Sequence, residues 1–288
     1  MSVLSELHKT NIRVSDIASQ YWCERQMEYN YRYGQKITSE IKEGKTIHEE
    51  LENEVNVPII LQPKSYADAL YKRVYTSLVA IRALKDNKKT REIQLYGSIG
   101  GYTIVGKMDQ LELKDGKVAI SEDKTRANGN VPSDAQQLIH RIQLMVYRKL
   151  LGDLTEGHYG YSNFEVAYHV RALKLTDEFK RQLEAINVDR SLQEIQPMSV
   201  EFFNSIRSIG AISDTLYVRY INQFTGKSIK SQSFEYKEGE MDGIIRYILK
   251  YWNGERESMP VPENEKWKCR FCMFFGKECK VWWDQKAL

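Results

Sequence analysis

The spacing of apolar positions follows a helical period at first, switches to a strand period near Glu92, and returns to a helical one beyond Pro132. From Val14 to Tyr29, Ser15 or Asp16 can cap a helix whose stripe carries Ile17, Tyr21 and Met27. A second helix is predicted from Ile37 to Leu61, ending near Pro58, and a third from Tyr66 to Lys85. Asp86 to Arg91 is polar and reads as a loop. Glu92–Ile99 and Tyr102–Leu113 then alternate, Lys114-Asp-Gly-Lys is an Asp-Gly hairpin turn, and Val118–Thr125 is the return strand. Ala127–Pro132 is a loop, and Asp134–Leu151 a helix with Leu138, Arg141, Ile142, Met145, Val146 and Leu150 on its inner face. Phe164–Leu173 alternates and is expected to be a strand, whereas Thr176 opens a capped helix. Residues 185–255 are expected to be mostly helical, with an extended piece at Ser228–Phe234 and a helix at Glu240–Tyr251; the tail from Glu255 lacks periodicity. Without repeats or a clean linker, one mixed α/β domain spanning 1–288 is expected.

Composition narrows this little. The chain is 42% hydrophobic with a mean hydropathy of −0.54, which suits a globular protein with a sizeable core. No long apolar run or signal core is present, so a cytoplasmic, nucleoid-associated protein is expected. A net charge of +3 permits nucleic-acid binding without announcing it. The 18 tyrosines suit packing more than base stacking.

Chemistry concentrates in the hairpin. Asp109 ends an alternating run on one strand, and Glu122 lies at the corresponding depth on the other. A half-buried carboxylate needs a partner or a cation, and two on adjacent strands can chelate Mg2+ or Mn2+. Lys124 shares a face with Glu122 because side chains alternate along a strand. From there a lysine can orient or help deprotonate an attacking water and stabilise charge on a phosphate. Surface salt bridges use the same residue types, so the hairpin alone does not specify a nuclease.

Gly44-x3-His48, Gly106-x2-Asp109, Glu122-x-Lys124 and Gln143-x3-Tyr147 occur in that order. Each part has a plain reading, a packed helical histidine or an amphipathic helix for instance. The ordered set resembles the RecB-type nucleases of the PD-(D/E)xK superfamily. That resemblance implies a restriction-endonuclease-like core (a mixed sheet flanked by helices) over motifs 44–147, with a helical insertion at about 175–255. It also implies His48, Asp109 and Glu122 as metal ligands, Lys124 as the catalytic lysine, and Gln143 and Tyr147 contacting DNA or bracing the site. Asp123 should face away from the metal and lend at most its main-chain carbonyl.

Cys269-x2-Cys272-x6-Cys279 needs a fourth ligand, and Cys23 is the remaining cysteine. Spacing alone favours zinc over an iron–sulfur cluster, and disulfides do not suit the expected compartment. The arrangement resembles the iron–sulfur branch, which implies a [4Fe-4S] cluster on Cys23, Cys269, Cys272 and Cys279 joining segment 256–288 to the N-terminal region. Ser19-Gln-Tyr-Trp-Cys23-Glu24 and Glu122-Asp-Lys-Thr-Arg126 resemble the exonuclease V pattern most closely. The implied function is a metal-dependent exonuclease acting on single-stranded DNA in repair or replication, with a single-strand-binding protein as a possible partner. Arg126, Arg141, Lys107, Tyr147 and more weakly Lys227 and Lys230 are candidate DNA contacts. The alternatives are a CRISPR-adaptation nuclease working beside an integrase, and an iron–sulfur DNA-binding module without activity.

Overall fold

A computed structural model describes residues 2–35, 38–53, 55–56, 58–127 and 129–282; the side chains of Glu40, Ile41, Lys45 and His48 lie outside that description. In chain order the elements are α1 (Val3–Glu6), β1 (Ile12–Arg13), α2 (Val14–Tyr33), α3 (Ser39–Asn53), α4 (Tyr66–Asn87), β2 (Lys89–Ile99), β3 (Tyr102–Lys114) and β4 (Lys117–Arg126). They continue with α5 (Asp134–Glu156), α6 (Tyr161–Tyr168), α7 (Asp177–Ala185), α8 (Ile195–Arg207), β5 (Ile212–Asn222), β6 (Ser228–Glu235) and α9 (Glu238–Trp252), then a 3-10 segment, Glu263–Phe271.

The strands form one mixed sheet, ordered β1-β3-β4-β5-β6, with β2 also paired to β3. Asp115 and Gly116 both take positive φ, 51° and 75°, as the two-residue turn between β3 and β4 demands. β2 runs antiparallel along nearly all of β3. The other edge of β3 is shared: β1 pairs with Ile104 and Val105, and β4 with Gln110 to Lys114. Among the described residues, Gly106 to Asp109 therefore have no strand on that side. Helices flank the sheet, and Ile93, Leu95 and Tyr96 of β2 are all buried, so this strand is covered on both faces.

Two expectations fail. Phe164 to Leu173 is not a strand but α6 followed by a single 3-10 turn. The apolar alternation there is misleading because Val166 is 74% exposed, whereas Phe164 and Tyr168, four apart, are buried. That is a helical stripe. Likewise, 175–255 is not a helical insertion, since β5 and β6 extend the sheet. β5 lies parallel to β4, with Glu122 opposite Val218 and Lys124 opposite Tyr220. Its Leu216, Val218 and Tyr220 alternate inward, a period obscured by the polar residues between them. Smaller corrections are that β2 begins at Lys89 rather than after a loop, and that Leu138 on α5 is 43% exposed rather than part of the core.

Candidate active site

Two buried carboxylates, Asp109 and Glu122, lie where β3 and β4 part. The last antiparallel rung is Gln110–Ser121. One step on, Asp109 Oδ2 accepts the main-chain N–H of Asp123 at 2.9 Å, so a side chain stands in for the missing rung. Glu122 points to the face covered by α5. Its Oε1 accepts from Lys124 Nζ at 2.6 Å and from Gln143 Nε2 at 2.6 Å. Lys124 Nζ also donates to Gln143 Oε1 at 2.9 Å, which closes a three-residue ring of hydrogen bonds. Asp109 and Glu122 are 7% and 1% exposed, a depth at which uncompensated carboxylates are costly.

The glycines of the two motifs have steric roles. A Cβ at Gly106 would lie 2.5 Å from Val14 Cγ2 and 2.6 Å from Tyr147 Cε1. Only glycine lets α2 and α5 close over β3 here, and Tyr147 then donates its hydroxyl to Lys107 O at 2.8 Å, in the stretch of β3 that lies between its pairings with β1 and β4. At Gly44 a Cβ would sit 3.0 Å from Thr125 Oγ1, so this residue lets α3 run close beside β4. The side chain of His48, one turn further along α3, lies outside the described residues.

Asp123 turns to the other face, where Arg91 and Arg219 bind it at 2.8 and 2.7 Å. Burial would raise its pKa, but hydrogen bonds from Arg219 and the charge of Arg91 outweigh that and lower it. Because Arg91 is on β2 and Arg219 on β5, this ion cluster around the buried Asp123 ties together the strands on either side of the hairpin. Lys124 is perturbed oppositely: burial disfavours its charge, yet Glu122 and Asp109 outweigh burial and raise its pKa. Tyr147 is pushed well above 10 by burial and by the same carboxylates, so it remains a neutral hydroxyl.

Lys107 pairs with the buried Glu92, which lies across from Asp109 on β2 and holds a left-handed backbone at φ 59°. Arg141 is engaged elsewhere, binding Glu240 at 2.8 Å and stacking on Phe234. Arg126 lies one face-repeat beyond Lys124 on β4, with its Nη1 3.5 Å from Gln136 Oε1. Sequence reasoning overlooked Glu92 and also His140, whose place three residues before Gln143 on one helix face was the available signal.

The donor set suits a hard divalent cation. Glu122 Oε2 is buried without a hydrogen-bond partner among the described residues, and Glu122 and Asp109 both act electrostatically on Lys124 and Tyr147. Among the described residues no three His, Cys, Asp or Glu gather into a complete site, and His48 falls outside that search. Away from the hairpin, Cys23, Cys269, Cys272 and Cys279 are unbridged and line one cavity with Trp22, Tyr29 and Phe275. Cys23 breaks α2 with extended backbone angles (φ −169°, ψ 109°). Burial, then the neighbouring cysteines, push the Cys269 thiol to about 11.

A family model described as exonuclease V, a 5' deoxyribonuclease, matches residues 3–117, 112–208 and 191–283, nearly the whole chain. This chain belongs to the exonuclease V family. It is a deoxyribonuclease by that membership, and the hairpin lies wholly inside the matched segments. Exonuclease V of Danio rerio is 25% identical over 284 residues, covering 95% of this chain and 71% of that protein. The mitochondrial exonuclease V of Candida tropicalis is 31% identical over 87 residues, 30% of this chain and 14% of that protein. Among solved structures, that of SSO0001 aligns with a TM-score of 0.46 at 15% identity, over 92% of this chain and 84% of the other. Among the described residues no helix is long and apolar enough to cross a membrane.

Proposed function

We propose that this member of the exonuclease V family is a Mg2+- or Mn2+-dependent exonuclease that prefers single-stranded DNA, works in DNA repair or replication, and is built on a PD-(D/E)xK core. The observation carrying this reading is the buried Glu122 Oε2, left without a partner among the described residues while its other oxygen is held by Lys124 and Gln143. Asp109 and Glu122, with His48 as a third donor, would hold the cation. A cation there supplies Lewis acidity and lowers the pKa of water for attack on phosphorus. Lys124 stays an ammonium in the field of both carboxylates and is placed to stabilise charge on the phosphate oxygens as the P–O bond breaks. Gln143 fixes Lys124 and Glu122 together, and Tyr147 holds β3 at the level of the site.

The four cysteines would hold a [4Fe-4S] cluster. All four line one cavity, and four thiolates suit such a cluster. Burial, then the neighbouring cysteines, raise the pKa of the Cys23, Cys269 and Cys272 thiols, so binding iron would release protons.

The test is degradation of end-labelled single- and double-stranded DNA by anaerobically purified protein, with and without divalent metal. Single-stranded DNA is expected to be degraded faster, and only with metal. Asp109→Ala and Lys124→Ala should each lose at least about a hundredfold in rate. Unchanged degradation by either variant would reject the site.

A further inference from the structure

We propose that Lys124, Arg126 and His140 form a seat for a second phosphate of the bound strand, next to the one at the Asp109–Glu122 centre. This deepens the exonuclease reading and rests on it. Glu122, Lys124 and Arg126 alternate onto one face of β4, so Lys124 and Arg126 follow each other at about 6.6 Å, two strand residues apart. α5 covers the same face and sets His140 and Gln143 side by side, three residues apart. His140 Nδ1 lies 3.2 Å from the hydroxyl of Tyr220, which is the rung partner of Lys124 on β5 and is fully buried.

The seat has donors in excess. Arg126 has no carboxylate partner among the described residues, and its Nε is buried without an acceptor. Its Nη1 donates a long hydrogen bond, 3.5 Å, to Gln136 Oε1. Buried guanidinium donors are ordinarily satisfied, and a phosphate oxygen matches their planar geometry. His140 stands within electrostatic reach of both Lys124 and Arg126. Burial first, then those two cations, hold its imidazole near a pKa of 3, so the ring is neutral at pH 7. When Tyr220 donates to Nδ1, the ring hydrogen sits on Nε2 and makes the imidazole another donor. The set suits a phosphate oxyanion and repels a metal cation.

Two forms of this ligand are available on a DNA strand, a terminal 5'-monophosphate and an internal diester, and one experiment separates them. The full-length protein is held without divalent metal to halt cleavage, and its histidine ring signals are followed by 13C-edited NMR. The chain has 5 histidines, so His140 is identified by the signal lost in His140→Gln. The probes are inorganic phosphate, a 5'-phosphorylated oligothymidylate and the same oligonucleotide with a 5'-hydroxyl. The His140 signal is expected to move with phosphate and with DNA, and Arg126→Gln should abolish that movement and weaken oligonucleotide affinity about tenfold. A larger response to the 5'-phosphorylated strand assigns the seat to the terminal monoester; equal responses assign it to an internal diester. A signal unmoved by all three probes, or moved equally in Arg126→Gln, overturns the seat, even with metal-dependent degradation intact. Movement without metal-dependent degradation keeps the seat and rejects the metal-dependent reading of the Asp109–Glu122 centre.

Discussion

Single atoms decide whether the hairpin is a site. Gly106 owes its identity to Val14 and Tyr147, side chains from two helices that arrive at less than van der Waals distance from where a Cβ would sit. Gly106→Ala is expected to cost about 1–3 kcal/mol by overpacking and to lift Tyr147 from the Lys107 carbonyl. Thermal unfolding and steady-state kinetics would show a lowered Tm together with a lowered kcat. Tyr147→Phe removes only the hydroxyl, leaves that carbonyl without its donor, and should cost about 1–3 kcal/mol with the packing retained. Equal Tm values for Tyr147→Phe and the parent protein would show that this hydrogen bond contributes nothing. The order of motif residues was legible because each is a distinctive type at a fixed spacing. That Gln143 closes a ring with Glu122 and Lys124 was not, because it depends on where α5 crosses β4.

Among the elements, α4 shows how a cap can join two helices. Asp68 is fully buried on the first turn of α4 and accepts from the main-chain N–H groups of Lys64, Ser65 and Thr176 and from the Thr176 hydroxyl. Thr176 is itself the N-cap of α7, so one carboxylate ties two helix starts together. Burial would raise its pKa, but these hydrogen bonds outweigh it and lower the value below that of a free aspartate. A depressed folded pKa gives stability that is complete above the unfolded value, about 4, and is lost as pH falls through the folded value. Asp68→Asn should therefore lower Tm at pH 7 and flatten the fall in Tm on acidification; a parallel acid profile would contradict this. The sequence announced Thr176 as a cap but not Asp68 as its partner, which lies 108 residues away. The same distance problem hid β5: alternation marks a strand only when both its neighbours are known, and β4 and β6 flank it.

Across the whole molecule, the two ends of the described chain are joined by more than cysteines. Glu24 on α2 is 1% exposed, pairs with Arg256 and accepts from the main-chain N–H of Met259 at 3.0 Å. Gln20 Oε1 accepts from the indole of Trp252 at 2.8 Å, and Trp22 meets Trp267 edge-on. Because the Glu24–Arg256 and Gln20–Trp252 contacts involve no residue that lines the cysteine cavity, loss of the proposed cluster should loosen the tail rather than unfold the sheet. Cys272→Ser is expected to lose iron and the broad visible absorbance. Hydrogen exchange should then rise in 263–282 while α4, α5 and α8 stay protected. Uniform loss of protection would instead make the cluster essential to the core. Glu24→Leu leaves Arg256 partly buried without its counter-charge and should cost about 3–5 kcal/mol, read from chemical denaturation.

The sequence by itself determined the hairpin, most helices, the ordered motif residues and the grouping of cysteines, because residue type and short periods act locally. Tertiary structure decided that Asp109 replaces a ladder rung, that Asp123 is clamped by Arg91 and Arg219, and that His140 stands beside Lys124 and Arg126. These depend on which strands neighbour β4 and on where α5 crosses it. Such long-range pairings are set by how the whole core closes, and no local period records them.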